Sequence, residues 1–205
     1  MWIEPVVMSG RLIRLEPLEG RHAPALLSAA DPELFRFTPQ APAEWSVPGF
    51  VEQINKLRAR ADVMPFAVVL NESGTAIGRT TFMDIQAEHR GVEIGRTWLG
   101  RAHHATPVNP EMKFLMLRHA FERLAPTAAR VQLTTAGTNL HSQRAIAKLG
   151  AVREGVLRSN RVVPSGPSPS DPPMWRDTVV YSILPAEWPT VRAGLLGRLG
   201  WQIEP

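Results

Sequence analysis

Residues 92–134 constrain the fold of this chain more than any other stretch, because they contain the pattern of a strand, a helix and a second strand. Residues 92–99 and 130–134 are short apolar runs that predict strands. Between them, Asn109 is typical of a helix N-cap, and Pro110 suits the first helical position. Apolar residues then recur at helical spacing as far as Pro126: Leu117, Ala120, Phe121 and Leu124. Such a unit places two parallel strands in a sheet that is covered by helices.

The rest of the pattern extends this unit into a single domain over residues 1–205. Strands are expected at residues 12–18, 65–70, 75–85, 151–157 and 176–184, and helices at 20–29, 47–60, 139–149 and from 185. The order of elements is therefore β α α β β β α β α β β α. It predicts the α/β class, in the form of a mixed α+β sheet.

Residues 163–173 contain five prolines. Proline excludes a helix interior or a central strand, so this segment is expected to be an exposed, mobile loop. It lies between two strand-like runs, which makes it a long hairpin connection rather than a link between domains.

Composition excludes several classes of function. The chain has no cysteine, so disulfides, thiol nucleophiles and cysteine-ligated metals are ruled out. The net charge of +4 is spread along the chain without a basic run, which favours a small anionic ligand over nucleic acid. No apolar run approaches the roughly 20 residues that span a bilayer, and no secretory signal is evident, so we expect a cytoplasmic protein without a membrane partner. A homodimer is expected only from the general frequency of dimers.

The loop at residues 100–108 leads into the predicted helix and is a candidate anion site. A helix N-terminus offers free N–H groups and the positive end of the helix dipole, which suit a pyrophosphate. Arg101, Thr106, His103 and His104 add side-chain donors. The alternative is an ordinary capped crossover that binds nothing. Adjacent histidines without nearby carboxylates rarely form a metal site, so no metal is expected.

Asn139 and Ser142 form a second polar feature, three residues apart on the first turn of a predicted helix. Their amide and hydroxyl groups could both address a ligand beyond the end of the preceding strand. The alternative is that they only cap the helix.

Taken together, these two features resemble the Gcn5-related N-acetyltransferase (GNAT) family, and within it the RimJ/RimL-like ribosomal-protein acetyltransferase branch. The resemblance covers about residues 9–188 and leaves a C-terminal helix and tail at 189–205. Its most specific part is the block at residues 139–157, which contains Asn139, Ser142, Arg144 and Lys148-Leu149-Gly150-Ala151. Weaker parts are residues 10–17, 93–99 and 176–184, together with Asn109-Pro110-Glu111.

The resemblance implies a fold in which the strand at 92–99 splays away from the strand at 130–134, with the pantetheine arm of acetyl-CoA in the gap. It implies a pyrophosphate on residues 101–109, and Asn139 on the pantetheine arm. The cofactor-binding residues implied in this way are Trp98, Leu99, Arg101, His104, Ala105, Thr106, Val108, Asn109, Asn139, Ser142 and Arg144.

The chain departs from the family pattern at three places. The phosphate loop of the family usually carries glycines where this chain has Ala105 and Pro107, and Pro107 has no N–H to donate. The tyrosine that many relatives use as an acid is Ile146 here. Arg161 stands where one branch member's proposed carboxylate base would align.

Ser142 and Glu93 are the catalytic candidates that remain. Ser142 would hydrogen-bond or protonate the leaving sulfur, and backbone N–H groups near Trp98 and Leu99 would serve the oxyanion. Glu93 would accept the proton of the amine, directly or through a water. A salt-bridged or solvated Glu93 is the alternative.

The expected activity is transfer of an acetyl group from acetyl-CoA to a primary amine, by direct attack in a ternary complex. The amine belongs to a protein N-terminus or to a small molecule, and no metal takes part. The degraded phosphate loop keeps a second hypothesis open, namely a CoA-binding sensor or scaffold that has lost catalysis. A ribosome-associated RNA-binding factor would need a basic face that the sequence does not display.

Overall fold

The computed structural model describes residues 2–37, 41–166 and 170–202. Its core is one eight-stranded sheet with helices on both faces. The strands are β1 (Met8–Ser9), β2 (Ile13–Pro17), β3 (Val63–Leu70), β4 (Ala76–Gln86), β5 (Gly91–Leu99), β6 (Arg130–Ala136), β7 (Val152–Pro164) and β8 (Pro173–Ile183). The helices are α1 (Ala23–Ala29), α2 (Val47–Arg58), α3 (Val108–Arg118), α4 (Leu140–Ala147) and α5 (Trp188–Leu199).

The strand order is β1-β2-β3-β4-β5-β6-β8-β7, and β5 and β6 form the parallel pair. The other neighbouring strands run antiparallel, so the sheet is mixed, as the sequence predicts. One face packs against α3, α4 and α5 through a core that includes Met112, Leu133, Ile146 and Val191. The other face packs against α1 and α2 through Leu26, Phe50 and Trp98.

The structure differs from the sequence prediction at the start of α3. This helix begins at Val108 with Pro107 at the N-cap, so Asn109 lies inside the first turn and is not the cap. The helix continues through a π-helical turn at His119–Arg123. A short strand, β1, precedes the first predicted one and was not expected.

The proline-rich loop is shorter than residues 163–173. Strand β7 extends to Pro164, which pairs with Pro173 at the start of β8. Proline is compatible with this place, because β7 is the outermost strand and Pro173 is the first residue of its strand. Residues 167–169 of the predicted loop lie outside the described residues.

Buried Glu111 fastens α3 to the turn between β1 and β2. Its carboxylate accepts the backbone N–H groups of Arg11 and Leu12, the latter at 3.0 Å. A Cβ at Gly10 would collide with Glu111 Oε1 and lie 2.9 Å from the backbone oxygen of Ile13, so only glycine fits beside this carboxylate. The contact sets the position of α3, whose N-terminus borders the candidate site. Within the part of the chain that the structure describes, no helix is long and apolar enough to cross a membrane.

Candidate active site

Strands β5 and β6 pair at only three positions and then diverge. Gly91, Val92 and Glu93 pair with the residues 130–132. Beyond them, β5 continues to Leu99 and β6 to Ala136 without pairing to each other. We call the space between residues 94–99 of β5 and 133–136 of β6 the wedge. Because parallel strands end at the same edge of a sheet, the wedge opens toward the loop before α3 and the start of α4.

Glu93 lies at the closed end of the wedge. Its side chain reaches across to β6, where Oε1 accepts the hydroxyl of Thr134 at 2.6 Å and Oε2 accepts Gln132 Nε2 at 3.2 Å. The residue is only 5 % exposed. Within the described residues Glu93 is thus buried and has no ion pair within 4.0 Å, and its hydrogen-bond partners are neutral donors.

Lys113 approaches the same part of the sheet from the α3 face, opposite to the Glu93 side chain, and the sequence reasoning did not include it. This lysine of α3 is 8 % exposed, and its Nζ donates to Thr97 Oγ1 at 3.3 Å. The Thr97 hydroxyl lies 2.8 Å from that of Thr80 on β4. Burial lowers the pKa of Lys113 to about 8, and the charge of Glu93 opposes this shift. Lys113 is thus a buried amine that changes charge just above neutral pH.

The end of β5 presents one backbone edge to the wedge. Gly100 N donates to Ile77 O at 2.8 Å, so the amide of Gly100 points toward β4. Successive residues of a strand direct their amides to opposite edges, so the amide of Trp98 also points toward β4 and that of Leu99 points into the wedge. The position of Leu99 O, 2.9 Å from His104 Nε2, agrees with this direction. Of the two expected oxyanion donors, the structure favours Leu99.

The Trp98 side chain lies away from α3 and belongs to the core under α1 and α2. Its ring centroid is 5.6 Å from that of Phe35. This buried position makes Trp98 a packing residue through its side chain, whatever its backbone binds.

The loop before α3 has a left-handed residue where the family carries a glycine. Ala105 has a φ of 57°, a conformation that favours glycine. The loop thus has the backbone bend that a glycine would allow, although the glycine itself is missing. Thr106 stabilises the bend, since its hydroxyl donates to His103 O at 2.8 Å. The Thr106 Oγ1 atom also accepts the N–H of Val108 at 3.4 Å.

Arg101 is placed less favourably for a phosphate than the sequence predicts, and Asn109 lies inside the helix rather than at its cap. Arg101 is exposed and forms an ion pair with Asp31, so its charge is already partly neutralised. This pair lowers the pKa of Asp31 and raises that of Arg101. Asn109 lies in the first turn of α3, where Pro107 O accepts the Glu111 amide at 3.0 Å.

Asn139 is the N-cap of α4, as one of the two sequence interpretations expected. Its Oδ1 accepts the backbone N–H of Ser142 at 3.0 Å. Gln143 ties this turn to β6, because its Nε2 donates to Gly137 O at 2.8 Å. Arg144 is exposed, whereas Ile146 is buried in the core. Asn139 and Ser142 border the open end of the wedge.

The site residues therefore divide between the two ends of the wedge. Glu93 lies level with residue 132, four positions before Ala136, which is roughly 13 Å along the strand. The candidates Leu99, His104, Ala105, Thr106, Val108, Asn139 and Ser142 lie around the open end. The described residues contain no group of three or more side chains suited to a metal ion.

Comparison with protein families matches residues 12–152 to a model described as an acetyltransferase (GNAT) domain. The chain belongs to the GNAT family. A crystal structure from T. thermophilus, provisionally described as an acetyltransferase, is 41 % identical and has a TM-score of 0.85. The alignment covers 97 % of this chain and 100 % of that one.

Other GNAT structures agree with this assignment. A GCN5-related N-acetyltransferase from Brucella melitensis is 27 % identical, with a TM-score of 0.85 over 96 % of this chain and 86 % of that one. Mycobacterium smegmatis RimJ in complex with CoA-disulfide shares the fold at 23 % identity, with a TM-score of 0.75 over 97 % and 95 % of the two chains. A comparison with curated proteins finds no significant match.

Proposed function

We propose that this GNAT protein transfers an acetyl group from acetyl-CoA to a primary amine, by direct attack in a ternary complex. The observation that carries the proposal is the wedge, which begins immediately beyond Glu93 and has an unpaired backbone edge on both sides. A linear chain with amide groups, such as pantetheine, can hydrogen-bond to such an edge as an added strand would. RimJ/RimL-like proteins remain the branch that the sequence motifs favour.

The residues at the open end fit a coenzyme with a pyrophosphate, with two exceptions. The left-handed Ala105, the amides that follow it and the N-terminus of α3 suit an anion. His104, Thr106, Val108 and Asn109 would lie beside it. Pro107 has no N–H, and Arg101 would have to break or share its ion pair with Asp31. We therefore expect fewer phosphate contacts than a glycine-rich loop gives. Across the wedge, Asn139, Ser142 and Arg144 would line the pantetheine side.

The reaction needs a proton acceptor, a donor to the carbonyl oxygen and a partner for the leaving sulfur around one carbon atom. The amine nitrogen forms a bond to the thioester carbonyl carbon, the C–S bond breaks, and the CoA thiolate leaves. Since Glu93 lies roughly 13 Å from the open end, it would take the proton of the attacking amine through a chain of water molecules. The Leu99 amide would donate to the carbonyl oxygen as negative charge develops there, and Ser142 would hydrogen-bond the leaving sulfur.

A CoA-binding sensor without catalysis is the second candidate. Three observations favour it: Pro107 in the phosphate loop, buried Ile146 at the position of the usual acid, and Arg161 in place of a carboxylate. This protein would bind the coenzyme in the same wedge but would not transfer the acetyl group.

Calorimetry with acetyl-CoA, followed by thiol release against a panel of amines, separates the two candidates. We expect saturable binding and turnover with at least one amine. Ser142→Ala should lower kcat while the Kd for CoA changes little, and Ser73→Ala, in the exposed β3–β4 turn, is the matched control. Binding without turnover would support the sensor, and failure to bind CoA would refute both candidates.

A further inference from the structure

Three arginines border the α1/α2 face of the wedge, the same face as the Glu93 side chain. Arg176 on β8 lies directly opposite Arg161 on β7, and Arg96 lies on β5, three residues beyond Glu93. We call Arg96, Arg161 and Arg176 the arginine cluster. Its members lie on three different strands, β5, β7 and β8, so only the folded chain brings them together.

Register places Arg176 on this face. Thr134, which donates to Glu93, pairs with Val180 of β8. Side chains two residues apart on a strand share a face, so Val180, Thr178 and Arg176 point to the Glu93 side. The hydrogen bond of 3.3 Å from Arg176 Nη2 to Thr178 Oγ1 agrees with this direction. Arg176 Nη1 also donates to Phe37 O at 2.8 Å, in the segment that follows α1.

Arg96 is directed to the cluster by a β-bulge. Its φ is 51°, and the pairing of β4 with β5 shifts register between Arg79 and Thr81, opposite this residue. A bulge of this kind re-aims a side chain and is frequent beside active sites. The charges of Arg60 and Asp62 act on Arg96, followed by those of Glu93 and Arg161, and the last two also act on Arg176. The three guanidinium groups and Glu93 therefore lie within electrostatic reach of one another.

The cluster has an excess of positive charge. In the described parts of the chain, none of its members forms an ion pair within 4.0 Å, whereas other arginines such as Arg101 and Arg130 do. The Nε atoms of Arg96 and Arg176 are buried and have no hydrogen-bond partner there. Burial lowers the pKa of both arginines. The charges of Arg60 and Arg161 lower the pKa of Arg96 further, against Asp62 and Glu93, and the charge of Arg161 lowers that of Arg176. Such donors are stabilised by an anion that enters the site.

We propose that the acetyl acceptor is an amine that also carries a carboxylate group, which the arginine cluster binds while the amine faces Glu93. The inference rests on the proposed acetyl transfer and adds the class of acceptor. Guanidinium groups bind a carboxylate through paired, charge-assisted hydrogen bonds, so they fix its orientation as well as its charge. The carboxylate belongs either to a free amino acid or to an acidic residue near the N-terminus of a peptide.

Matched acceptor pairs test this proposal. One arm compares glycine with glycinamide, and the other compares peptide amides that begin Ala-Asp with peptide amides that begin Ala-Asn. The anionic member of at least one pair should have a kcat/KM about 10- to 100-fold higher, as expected for a hydrogen bond to a charged group. The arm that shows the preference identifies the source of the carboxylate.

Substitution of the cluster arginines tests whether the cluster causes the preference for the anionic acceptor. Arg161→Gln and Arg176→Gln should remove most of the preference, mainly through KM, while the rate with the neutral acceptor changes little. Arg161 is exposed, so Arg161→Gln is expected to fold. This holds even if Arg176→Gln is destabilised by loss of the hydrogen bond to Phe37. Arg153→Gln, at an exposed position near the start of β7, is the matched control.

The outcomes are distinct for the two proposals. Equal rates with anionic and neutral acceptors, or a preference that survives in both cluster variants, would overturn the carboxylate proposal and leave acetyl transfer standing. If no amine in the panel accepts an acetyl group, both acetyl transfer and the carboxylate proposal are overturned.

Discussion

Replacement of Lys113 by methionine tests the electrostatics of the site. The pKa of Lys113 falls from 10.5 to about 8 because the side chain is buried beside Thr97. At about 1.4 kcal/mol per pKa unit, a shift of roughly 2.5 units means that the buried charge destabilises the folded protein by about 3 kcal/mol near neutral pH. Methionine has a similar length and no charge, so Lys113→Met should raise the free energy of unfolding by up to this amount.

The effect should depend on pH in a defined direction. Below pH 8, both the folded and the unfolded chain hold the proton, and the full destabilisation is present. Between pH 8 and 10.5, the unfolded state binds more protons, so the wild-type protein gains stability relative to the variant. The difference between the two proteins should therefore shrink as the pH rises through this window.

Urea unfolding at pH 7, 8, 9 and 10, followed by tryptophan fluorescence, measures this difference. Lys148→Met, at an exposed position of α4, is the matched control and should follow the wild-type curve. Parallel stability profiles for Lys113→Met and the wild type would refute the placement of a buried charge at this site.

Three further predictions concern individual side chains. Ala105→Gly should keep the affinity for CoA. Ala105→Val should weaken this affinity about tenfold or more in calorimetry, because a β-branched residue resists the left-handed φ of 57°. Equal affinities of the two variants would contradict the role of the bend. Glu93→Gln should lower kcat about 10²- to 10⁴-fold with an unchanged Kd for CoA, and an unchanged kcat would exclude Glu93 as the base. Arg130 and Ser182 lower the pKa of Glu154 to about 2, so this carboxylate adds stability that is fully present above pH 4.5 and lost as the pH falls toward 2. In acid unfolding, the stability of Glu154→Gln should therefore decline less steeply with falling pH than that of the wild type.

The sequence was sufficient for those parts of the fold that depend on local pattern. The strand–helix–strand unit between residues 92 and 134 carries its own start and stop signals, and the structure confirms the parallel pair. The divergence of the two strands, also confirmed, came from the family resemblance and not from the local pattern. The exact start of α3 was missed because Asn109 is a good cap and Pro110 a good first residue, whereas the chain uses Pro107. Local propensity fixes such boundaries only to within a few residues.

The site depends more on contacts between distant residues, which no local pattern shows. Arg101 was expected to face a phosphate, but its partner Asp31 lies 70 residues earlier in the sequence. The positions of Asn139 and Ser142 could be anticipated, since a cap is a local interaction. Lys113 lies four residues before Leu117, on the predicted apolar side of the helix, so its spacing indicates burial although a lysine is rarely buried. Its contact with Thr97 of β5 shows the burial.

The arginine cluster was not foreseeable either. A bulge directs Arg96, and the pairing of β7 with β8 places Arg161 beside Arg176. The register of two strands and the position of the segment after α1 decide this arrangement. Of its members, the sequence analysis noted only Arg161, as a departure from the family pattern.

A crystal structure of the protein with coenzyme A tests the central claim most directly. The account predicts the pantetheine chain between residues 94–99 and 133–136, with an amide of the coenzyme bonded to the β5 edge and its pyrophosphate beside Ala105 and the first turn of α3. A coenzyme bound elsewhere, or a wedge filled by the protein's own side chains with the coenzyme excluded, would contradict it.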